Sequence, residues 1–318
     1  MPYRQGVLVA LAGGVGAARF LRGLVRVVPP GDVLAVVNTA DDDTFHGLSV
    51  SPDLDSVTYT LAGASNQAQG WGLEGETFAT LGALERYDVP TWFGLGDKDL
   101  ATHLFRTQRL HDGVPLSAVT AEIAIAWGLE TRLVPMTDDR VATRITVRDD
   151  TGATRELAMQ EWFVRERAAP SVIAVRFDGA DAARPAPGVI DALHSAATIV
   201  ICPSNPIISI GPILAVPGIR EALVARRDRV VAVSPIVGGA PVRGPADRLM
   251  GPLGIDVSCV GVARAYRDFA GAIVIDAVDR DRAAEVEALG VRAVVTDTIM
   301  RSPEIAASLA RETLAAVA

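Results

Sequence analysis

Five aspartates near the start of the chain could together hold a divalent cation. Mg²⁺ is commonly bound by one or two carboxylates together with phosphate oxygens and water. Asp53 and Asp55 begin a predicted helix and would face different sides of it, so we expect only one of them to be a ligand. Asp53 lies nearer the helix start, and we predict that Asp41 or Asp42 is its partner. The five residues are Asp41, Asp42, Asp43, Asp53 and Asp55.

The same acids could instead serve either of two simpler purposes. Asp53 and Asp55 could only complement the dipole of their helix, and residues 41–43 could form a solvated turn. Alternatively, Asp41 or Asp42 could bind a ribose hydroxyl, as an acidic residue does in dinucleotide-binding folds. The sequence leaves both possibilities open.

A glycine-rich turn precedes these acids and could bind phosphate. Residues 7–12 predict a buried strand, residues 20–24 have helical spacing, and Gly13-Gly14-Val15-Gly16 lies between them. A helix entered in this way points free N–H groups and the positive end of its dipole at a ligand. Arg19 would oppose that dipole, so we expect an anion beside it.

The glycine pattern matches neither of two common nucleotide-binding motifs. Arg19 stands where the dinucleotide fingerprint has its third glycine. A Walker lysine is also absent, and the single lysine of the chain is Lys98. A tight turn that binds no ligand is therefore the alternative interpretation.

A second polar loop, residues 203–212, follows the predicted strand 198–202. Its Ser204, Asn205 and Ser209 supply hydrogen-bond donors and acceptors. An asparagine amide can read a base or sugar edge with two hydrogen bonds. The alternative is an ordinary turn at the Asn-Pro pair.

Two further loops carry polar residues at predicted helix or strand ends. In residues 94–103, Asp99 could cap a helix that carries His103 on its first turns. Residues 234–245 contain two adjacent glycines and Arg243, and could cover a phosphate or form a mobile loop.

Composition limits the classes of function. The 318 residues carry a net charge of −8, which disfavours nucleic acid as a partner. No signal peptide or membrane-spanning stretch is visible, so we expect a cytoplasmic protein, with Cys202 and Cys259 as buried, reduced thiols. The motifs of serine hydrolases and zinc proteases are absent, which favours metal-assisted chemistry at a diphosphate.

Alternating strands and helices predict the elements that position these loops. The pattern indicates an α/β fold, a Rossmann-like, doubly wound and mostly parallel sheet, with an inserted, mainly helical region and a β-hairpin. We assign residues 1–64 and 166–318 to the nucleotide-binding core and residues 65–165, with helices near 76–87, 99–111 and 117–127, to the insertion. Strands are predicted near 33–37, 133–136, 171–176, 198–202, 230–234, 272–275 and 292–295, with a hairpin within 142–164.

Taken together, these motifs resemble the 2-phospho-L-lactate transferase family of coenzyme F-420 biosynthesis, which includes phosphoenolpyruvate transferases. The likeness covers nearly the whole chain. Its segments are Gly13–Gly16 with Arg19, Asn38–Asp42, Ser51–Asp55, Trp71-Gly72, Glu76–Phe78, Leu95–His103, Pro135–Asp139, Gln160–Phe163, Pro203–Pro206, Ser209–Ile213 and Ser234–Gly238.

The resemblance implies a reaction and a set of roles. A guanosine diphosphate ester of a three-carbon acid would donate its phosphorylated acid to Fo, a deazaflavin with a ribityl chain, and GMP would leave. Mg²⁺ would lie on Asp41 and Asp53, with Asp42 and Asp55 as the next choices and Arg19 beside the anion. The donor nucleotide would contact Gly13, Gly14, Val15, Gly16, Asn38, Ser204, Asn205 and Ser209. Trp71 would stack on the deazaflavin, and the protein would form a homodimer.

One departure and two rival interpretations remain. Asp43 lies in a loop, continuing to His46, where relatives often carry a tryptophan, which leaves the three-carbon acid and the acceptor undecided. A sister family shares the fold and binds nucleotide sugars as a regulator, but lacks the segments 51–55 and 97–103. An NAD(P)-dependent enzyme is disfavoured by the missing third glycine.

Overall fold

The computed structural model describes residues 6–149 and 151–317. Its strands are β1 (Leu8–Ala12), β2 (Val33–Val37), β3 (Asp43–Phe45), β4 (Leu48–Val50), β5 (Arg132–Pro135), β6 (Ala142–Arg148), β7 (Thr154–Ala158), β8 (Ser171–Asp178), β9 (Thr198–Ile201), β10 (Val230–Val233), β11 (Ile236–Val237), β12 (Ala240–Pro241), β13 (Ala272–Asp276) and β14 (Arg292–Thr296). The strands of the main sheet are short apolar runs bounded by polar or glycine-containing turns, as expected for buried strands.

The α-helices follow the predicted alternation, with some ends shifted by a few residues. They are α1 (Gly14–Leu24), α2 (Pro52–Leu61), α3 (Ala79–Leu84), α4 (Asp99–His111), α5 (Leu116–Ala126), α6 (Val189–Ser195), α7 (Gly211–Ala215), α8 (Ile219–Ala225), α9 (Ala246–Met250), α10 (Cys259–Tyr266), α11 (Ala283–Glu287) and α12 (Pro303–Ala315). A π-helical turn, Pro206–Ile210, leads into α7.

In the described part of the chain, seven parallel strands form the main sheet in the order β14-β13-β10-β9-β1-β2-β5. The chain runs outward from β1 through β2 to β5, then returns to β9 on the other side of β1. This order is that of a doubly wound fold, which confirms the predicted fold class. The switch point lies between β1 and β9, where a crevice opens at the carboxyl ends of the strands.

Two apolar layers cover the sheet. On one face, the buried side chains Leu8 and Ala10 pack with α1, α2 and α12. On the other, Val9 and Leu11 pack with α6, α7, α8 and α10. Because β1 is buried on both faces, its turn into α1 is held rigidly.

Two strands lie elsewhere than the sequence predicts. The strand near 133–136 is predicted as part of the insertion, but β5 pairs with β2 in the main sheet. The strand near 171–176 is predicted as part of the core, but β8 pairs antiparallel with β6, which also forms the predicted hairpin with β7. Neither pairing could be predicted, because pairing depends on contacts between distant residues, which the local pattern does not contain.

The division into a core (1–64 and 166–318) and an insertion (65–165) stays a prediction. β5 lies in the predicted insertion but pairs with β2 in the main sheet, and β8 lies in the predicted core but pairs with β6 of the predicted insertion. Residues 1–5, 150 and 318 of these ranges lie outside the described residues. Within the residues that are described, no single helix is long and apolar enough to cross a membrane; the bent pair Pro206–Ala215 and Ile219–Ala225 meets that test by length and composition alone. Cys202 and Cys259 are free, buried thiols, as predicted.

Candidate active site

A cleft of about 660 Å³ lies at the switch point of the main sheet. The glycine-rich turn after β1 and the loop after β9 form its floor, and the start of α2 forms one wall. The loops after β7, β10 and β14, residues 70–72 and 93–94, and Asp55, Tyr59, Asp99 and His103 of α2 and α4 complete the lining. Ligands of open α/β sheets bind in this position, so the cleft is the candidate active site.

The glycine-rich turn is shaped by close packing as well as by its helix end. A Cβ at Gly13 would lie 2.7 Å from Ser209 Cβ, and one at Gly16 would lie 2.2 Å from the Pro203 carbonyl oxygen. Gly14 has a φ of +70°, which favours glycine. Gly13 and Gly16 are therefore required because the 203–209 loop approaches the turn directly.

The amides of this turn do not all face a ligand. Gly14 N–H donates to Asp53 Oδ1 at 2.8 Å, so Asp53 occupies one of the free amides at the start of α1. Val15 and Gly16 follow as the next residues of the first helical turn, where N–H groups have no partner within the helix. They line the cleft and remain the amides available to an anion.

Asp41 and Asp53 form a pair joined by one amide. Asn38 Nδ2 donates to Asp41 Oδ2 at 3.1 Å and to Asp53 Oδ2 at 2.9 Å. All three side chains are buried, and Asn38 is held by its position directly after β2. The structure thus brings together the strand-end acid and the helix-start acid that the sequence predicts to be partners.

The electrostatics of this pair favour an added cation. Burial, together with the Asp53 charge, raises the pKa of Asp41 well above its usual value. Burial raises the pKa of Asp53 to about 6, against hydrogen bonds from Asn38 and Gly14. Among the described residues no basic side chain pairs with either acid, and Asp41 Oδ1 is buried without a hydrogen-bond partner. Two carboxylates, one with an unpartnered oxygen, fit a hard divalent cation.

Asp55 has a different environment, although it lies on the same helix. Its carboxylate accepts two hydrogen bonds from Arg106 of α4, one of them 3.2 Å from Nη1 to Oδ2. Burial raises the pKa of Asp55, and the charge of Arg106 opposes that rise. Asp53 and Asp55 do face different surroundings, as the helix geometry predicts, and Asp55 lies apart from the Asp41–Asn38–Asp53 bridge.

Asp55, Asp99 and His103 together have the geometry of a metal site. Oxygen atoms of Asp55 and Asp99 and a ring nitrogen of His103 all lie within 4.8 Å of one another. Asp99 is not the N-cap of α4, a position that Lys98 occupies; it accepts a hydrogen bond from Tyr59 and lies 3.2 Å from His103 Nε2. Burial raises the pKa of Asp99, but His103, Tyr59 and Arg106 together oppose it, and the net shift is downward.

Asp42 and Asp43 occupy the edge of this region. Asp42 Oδ2 accepts a 2.6 Å hydrogen bond from Ser51, and burial raises the pKa of Asp42 well above its usual range. Ser51 is the residue before α2, as predicted, but its hydroxyl bonds Asp42 and leaves the helix uncapped. Asp43 begins the β3–β4 hairpin and is half-buried near Arg140.

The loop after β9 presents two unpartnered polar groups to the cleft. Asn205 Oδ1 accepts hydrogen bonds from the amides of Ile207 and Ile208, so it caps the π-helical turn. Only Nδ2 is left for a ligand, so the side chain cannot read a base edge with two hydrogen bonds. Asn205 Nδ2 and Ser204 Oγ are buried without partners in the described structure, and both residues line the cleft.

Three predicted residues lie around the mouth of the cleft. Arg19 lines it, and burial and the nearby Arg243 lower the pKa of the Arg19 guanidinium. Arg243 donates to the Gln69 carbonyl oxygen at 2.8 Å, which joins the loop after β10 to the opposite wall. Trp71 is 44 % exposed, packs over Gly94 and lines the cleft.

Sequence reasoning does not assign roles to three side chains of this site. Tyr59, Arg106 and His103 are each 1 % exposed. Tyr59 and His103 both contact Asp99, and Arg106 contacts Asp55 and His103. A signal is present in the sequence: polar residues recur at helical spacing at 99, 103 and 106, which places them on one face of α4.

The sequence is similar to that of a known transferase family over nearly its whole length. Residues 8–308 match the sequence model of the family described as 2-phospho-L-lactate transferase CofD. Phosphoenolpyruvate transferase of Streptomyces griseus subsp. griseus is 47 % identical over 96 % of this chain and 97 % of its own length. The Kitasatospora aureofaciens protein of that name is 47 % identical over 97 % of both chains, and that of Thermobifida fusca 46 % over 95 % of both.

The chain belongs to the 2-phospho-L-lactate transferase family. This confirms the resemblance and the predicted class, a transferase of coenzyme F-420 biosynthesis, and the regulatory alternative is not favoured. A crystal structure of a UPF0052-family protein from Bacillus halodurans has a TM-score of 0.62 and 16 % identity, covering 98 % of this chain and all of that one. At that identity the likeness shows the shared fold alone.

Proposed function

We infer that the chain transfers a phosphorylated three-carbon acid from a guanosine diphosphate ester to the terminal hydroxyl of the deazaflavin Fo. That hydroxyl would attack the phosphorus bearing the acid, a phosphodiester would form and GMP would leave. Three relatives named phosphoenolpyruvate transferase favour an enolpyruvyl donor. The observation that carries the proposal is the buried Asp41–Asn38–Asp53 bridge, placed beside the glycine-rich turn in a member of this family.

Each part of the cleft has a role in this proposal. The amides of Val15 and Gly16 and the guanidinium of Arg19 would bind the diphosphate. Asp41 and Asp53 would hold Mg²⁺, which when bound would neutralise charge on the diphosphate. Ser204 Oγ and Asn205 Nδ2, both buried without partners in the described structure, would donate to the nucleotide.

Five other residues of the cleft and its edge complete the proposal. Gly13 and Ser209 pack against each other and would shape the nucleotide site. Trp71 would cover the deazaflavin, since it is exposed beside the cleft. In this proposal Asp42 and Asp55 are not Mg²⁺ ligands, because Asp42 does not line the cleft and Arg106 occupies the Asp55 carboxylate.

The test is GMP release from enolpyruvyl-diphosphoguanosine, measured with and without Fo and with and without Mg²⁺. We expect release only when donor, Fo and Mg²⁺ are all present. Release without Fo would indicate a hydrolase, and no release in any mixture would contradict the proposal. Lactyl-diphosphoguanosine in parallel would identify the preferred acid. As a check on the regulatory alternative, GDP and UDP-sugars are compared for their effect on Tm, and we expect only GDP to raise it.

A further inference from the structure

Arg106 is a fully buried cation at the junction of three elements. Its side chain is 2 % exposed and forms a two-pronged ion pair with Asp55 of α2. The same guanidinium lies 3.3 Å from the Ser49 carbonyl oxygen in β4 of the β3–β4 hairpin. Arg106 therefore ties α4 both to α2 and to the hairpin that precedes it.

Arg106 also contacts the His103 ring. Arg106 Nη1 lies 3.3 Å from His103 Nδ1, and a guanidinium can only donate a hydrogen bond. His103 Nε2 lies 3.2 Å from an Asp99 carboxylate oxygen and is buried without a hydrogen-bond partner in the described structure. Asp99 in turn accepts from the Tyr59 hydroxyl. Arg106, His103, Asp99 and Tyr59 therefore form one buried group.

Without Arg106, the same atoms would form a metal site. Asp55, Asp99 and His103 present ligand atoms within 4.8 Å of one another, a spacing that a single ion could bridge. Arg106 contacts both Asp55 and His103, and its positive charge would repel a cation placed between them.

The location of Asp55 links this group to the Asp41–Asp53 pair. Asp53 and Asp55 are both in the first turn of α2, so a contact that holds Asp55 also limits how that turn can rotate. Asp53 must point at Gly14 and Asn38 to make its hydrogen bonds of 2.8 and 2.9 Å. A rotation of this turn would move Asp53 away from Asp41.

We propose that Arg106 is a positioning residue, a built-in cation that takes the place of a metal ion among Asp55, Asp99 and His103 and holds α2 so that Asp53 faces Asp41. The catalytic consequence rests on the proposed function, whereas the exclusion of metal does not. Arg106 itself does not line the cleft.

The first experiment measures metal binding without turnover. Co²⁺ is titrated into the wild type, Arg106→Gln and the control Arg109→Gln, whose arginine lies on the same helix but pairs with Glu122 at the surface. We expect a visible Co²⁺ absorption band that depends on His103 only in Arg106→Gln, and its loss when His103→Ala is added. A His103-dependent band in the wild type, or none in folded Arg106→Gln, would overturn the proposal.

The second experiment keeps the positive charge at position 106 and removes the guanidinium group. Arg106→Lys retains a cation but loses the paired hydrogen bonds to Asp55. We expect no His103-dependent Co²⁺ band, a kcat about 10- to 100-fold lower and a donor KM within about twofold of the wild type, since misplacement by about 1 Å costs rate more than binding. An unchanged kcat in Arg106→Lys would overturn the positioning role. This test remains valid even where Arg106→Gln does not fold.

The two proposals fail separately. If the wild type shows no transferase activity but the Co²⁺ results are as expected, the proposed function fails and the exclusion of metal by Arg106 stands. If the wild type is active and Arg106→Lys has wild-type kcat, the function stands and the positioning role fails.

Discussion

Two acidic groups meet at the first turn of α2, one around Asp53 and one around Asp55, and they differ in how their charge is neutralised. Asp53 pairs with Asp41 through the neutral amide of Asn38, and among the described residues neither acid contacts a basic side chain. Asp55, two residues further on, is bound by the guanidinium of Arg106. Because burying a charged carboxylate is costly unless the charge is compensated, the first group is left to a proton or an added cation, whereas the second has the charge of Arg106 beside it.

The difference assigns separate tasks to neighbouring residues of identical type. Burial raises the pKa of Asp41 and of Asp53, so an added cation would favour their charged forms, which suits the proposed site for Mg²⁺ and a diphosphate. Asp55 is neutralised at all times, which suits a structural contact. The following predictions test this division, beginning with the largest effect.

Asp53→Asn should abolish turnover while the protein remains folded. The substitution removes one of the two anionic ligands proposed for Mg²⁺, and we expect GMP release to fall at least about 10³-fold, comparable to the loss of a principal group that stabilises transition-state charge. Activity is measured over a range of Mg²⁺ concentrations, and circular dichroism reports the fold. If this variant kept a tenth of wild-type activity, Asp53 would not be the ligand.

Asp55→Asn should act chiefly on stability, with a large loss of unfolding free energy. Breaking a buried ion pair leaves Arg106 without its counter-charge and costs about 3–5 kcal/mol of unfolding free energy. Urea denaturation would measure this, with the exposed Asp181→Asn as control. A variant as stable as the wild type would show that Arg106 does not neutralise Asp55.

The metal-free wild type should lose stability as pH rises from about 4 through 6. The pKa of Asp53 is about 6 in the folded protein against 3.8 in the unfolded chain, so the folded state binds the proton more tightly and its advantage disappears at higher pH. The loss from this group is at most about 3 kcal/mol. Asp53→Asn should flatten the slope, and Mg²⁺ should offset the loss above pH 6. Identical slopes in both proteins would contradict the prediction.

Tyr59→Phe should have the smallest effect of the four. It removes one hydrogen bond to Asp99, which costs about 1–2 kcal/mol and leaves His103 in contact. Since Asp99 belongs to the group neutralised by Arg106, the Mg²⁺ concentration for half-maximal activity should change less than about twofold. A larger change would show that the two acidic groups act as one.

Much of the main sheet could be predicted from local sequence. Strands such as Val33–Val37 are continuous apolar runs between turns, and α4 has the predicted limits, 99–111. The partners of β5 and β8 could not be predicted, because a strand's own residues do not specify which distant strand lies beside it.

The candidate site shows the same limit at the level of single residues. The pairing of Asp41 with Asp53 could be predicted because strand ends and helix starts meet at one edge of a parallel sheet. The ion pair between Asp55 and Arg106 could not, since the two residues are 51 positions apart and only the packing of α4 on α2 joins them.

The sequence by itself determined the family, the order of strands and helices and the set of polar residues at the strand ends, because these depend on local periodicity and on motifs that relatives share. Only the tertiary structure decided which aspartate lacks a protein cation. That property depends on the charges that distant segments bring within hydrogen-bond distance. For Asp53 those segments supply Asn38 and Gly14, and for Asp55 they supply Arg106.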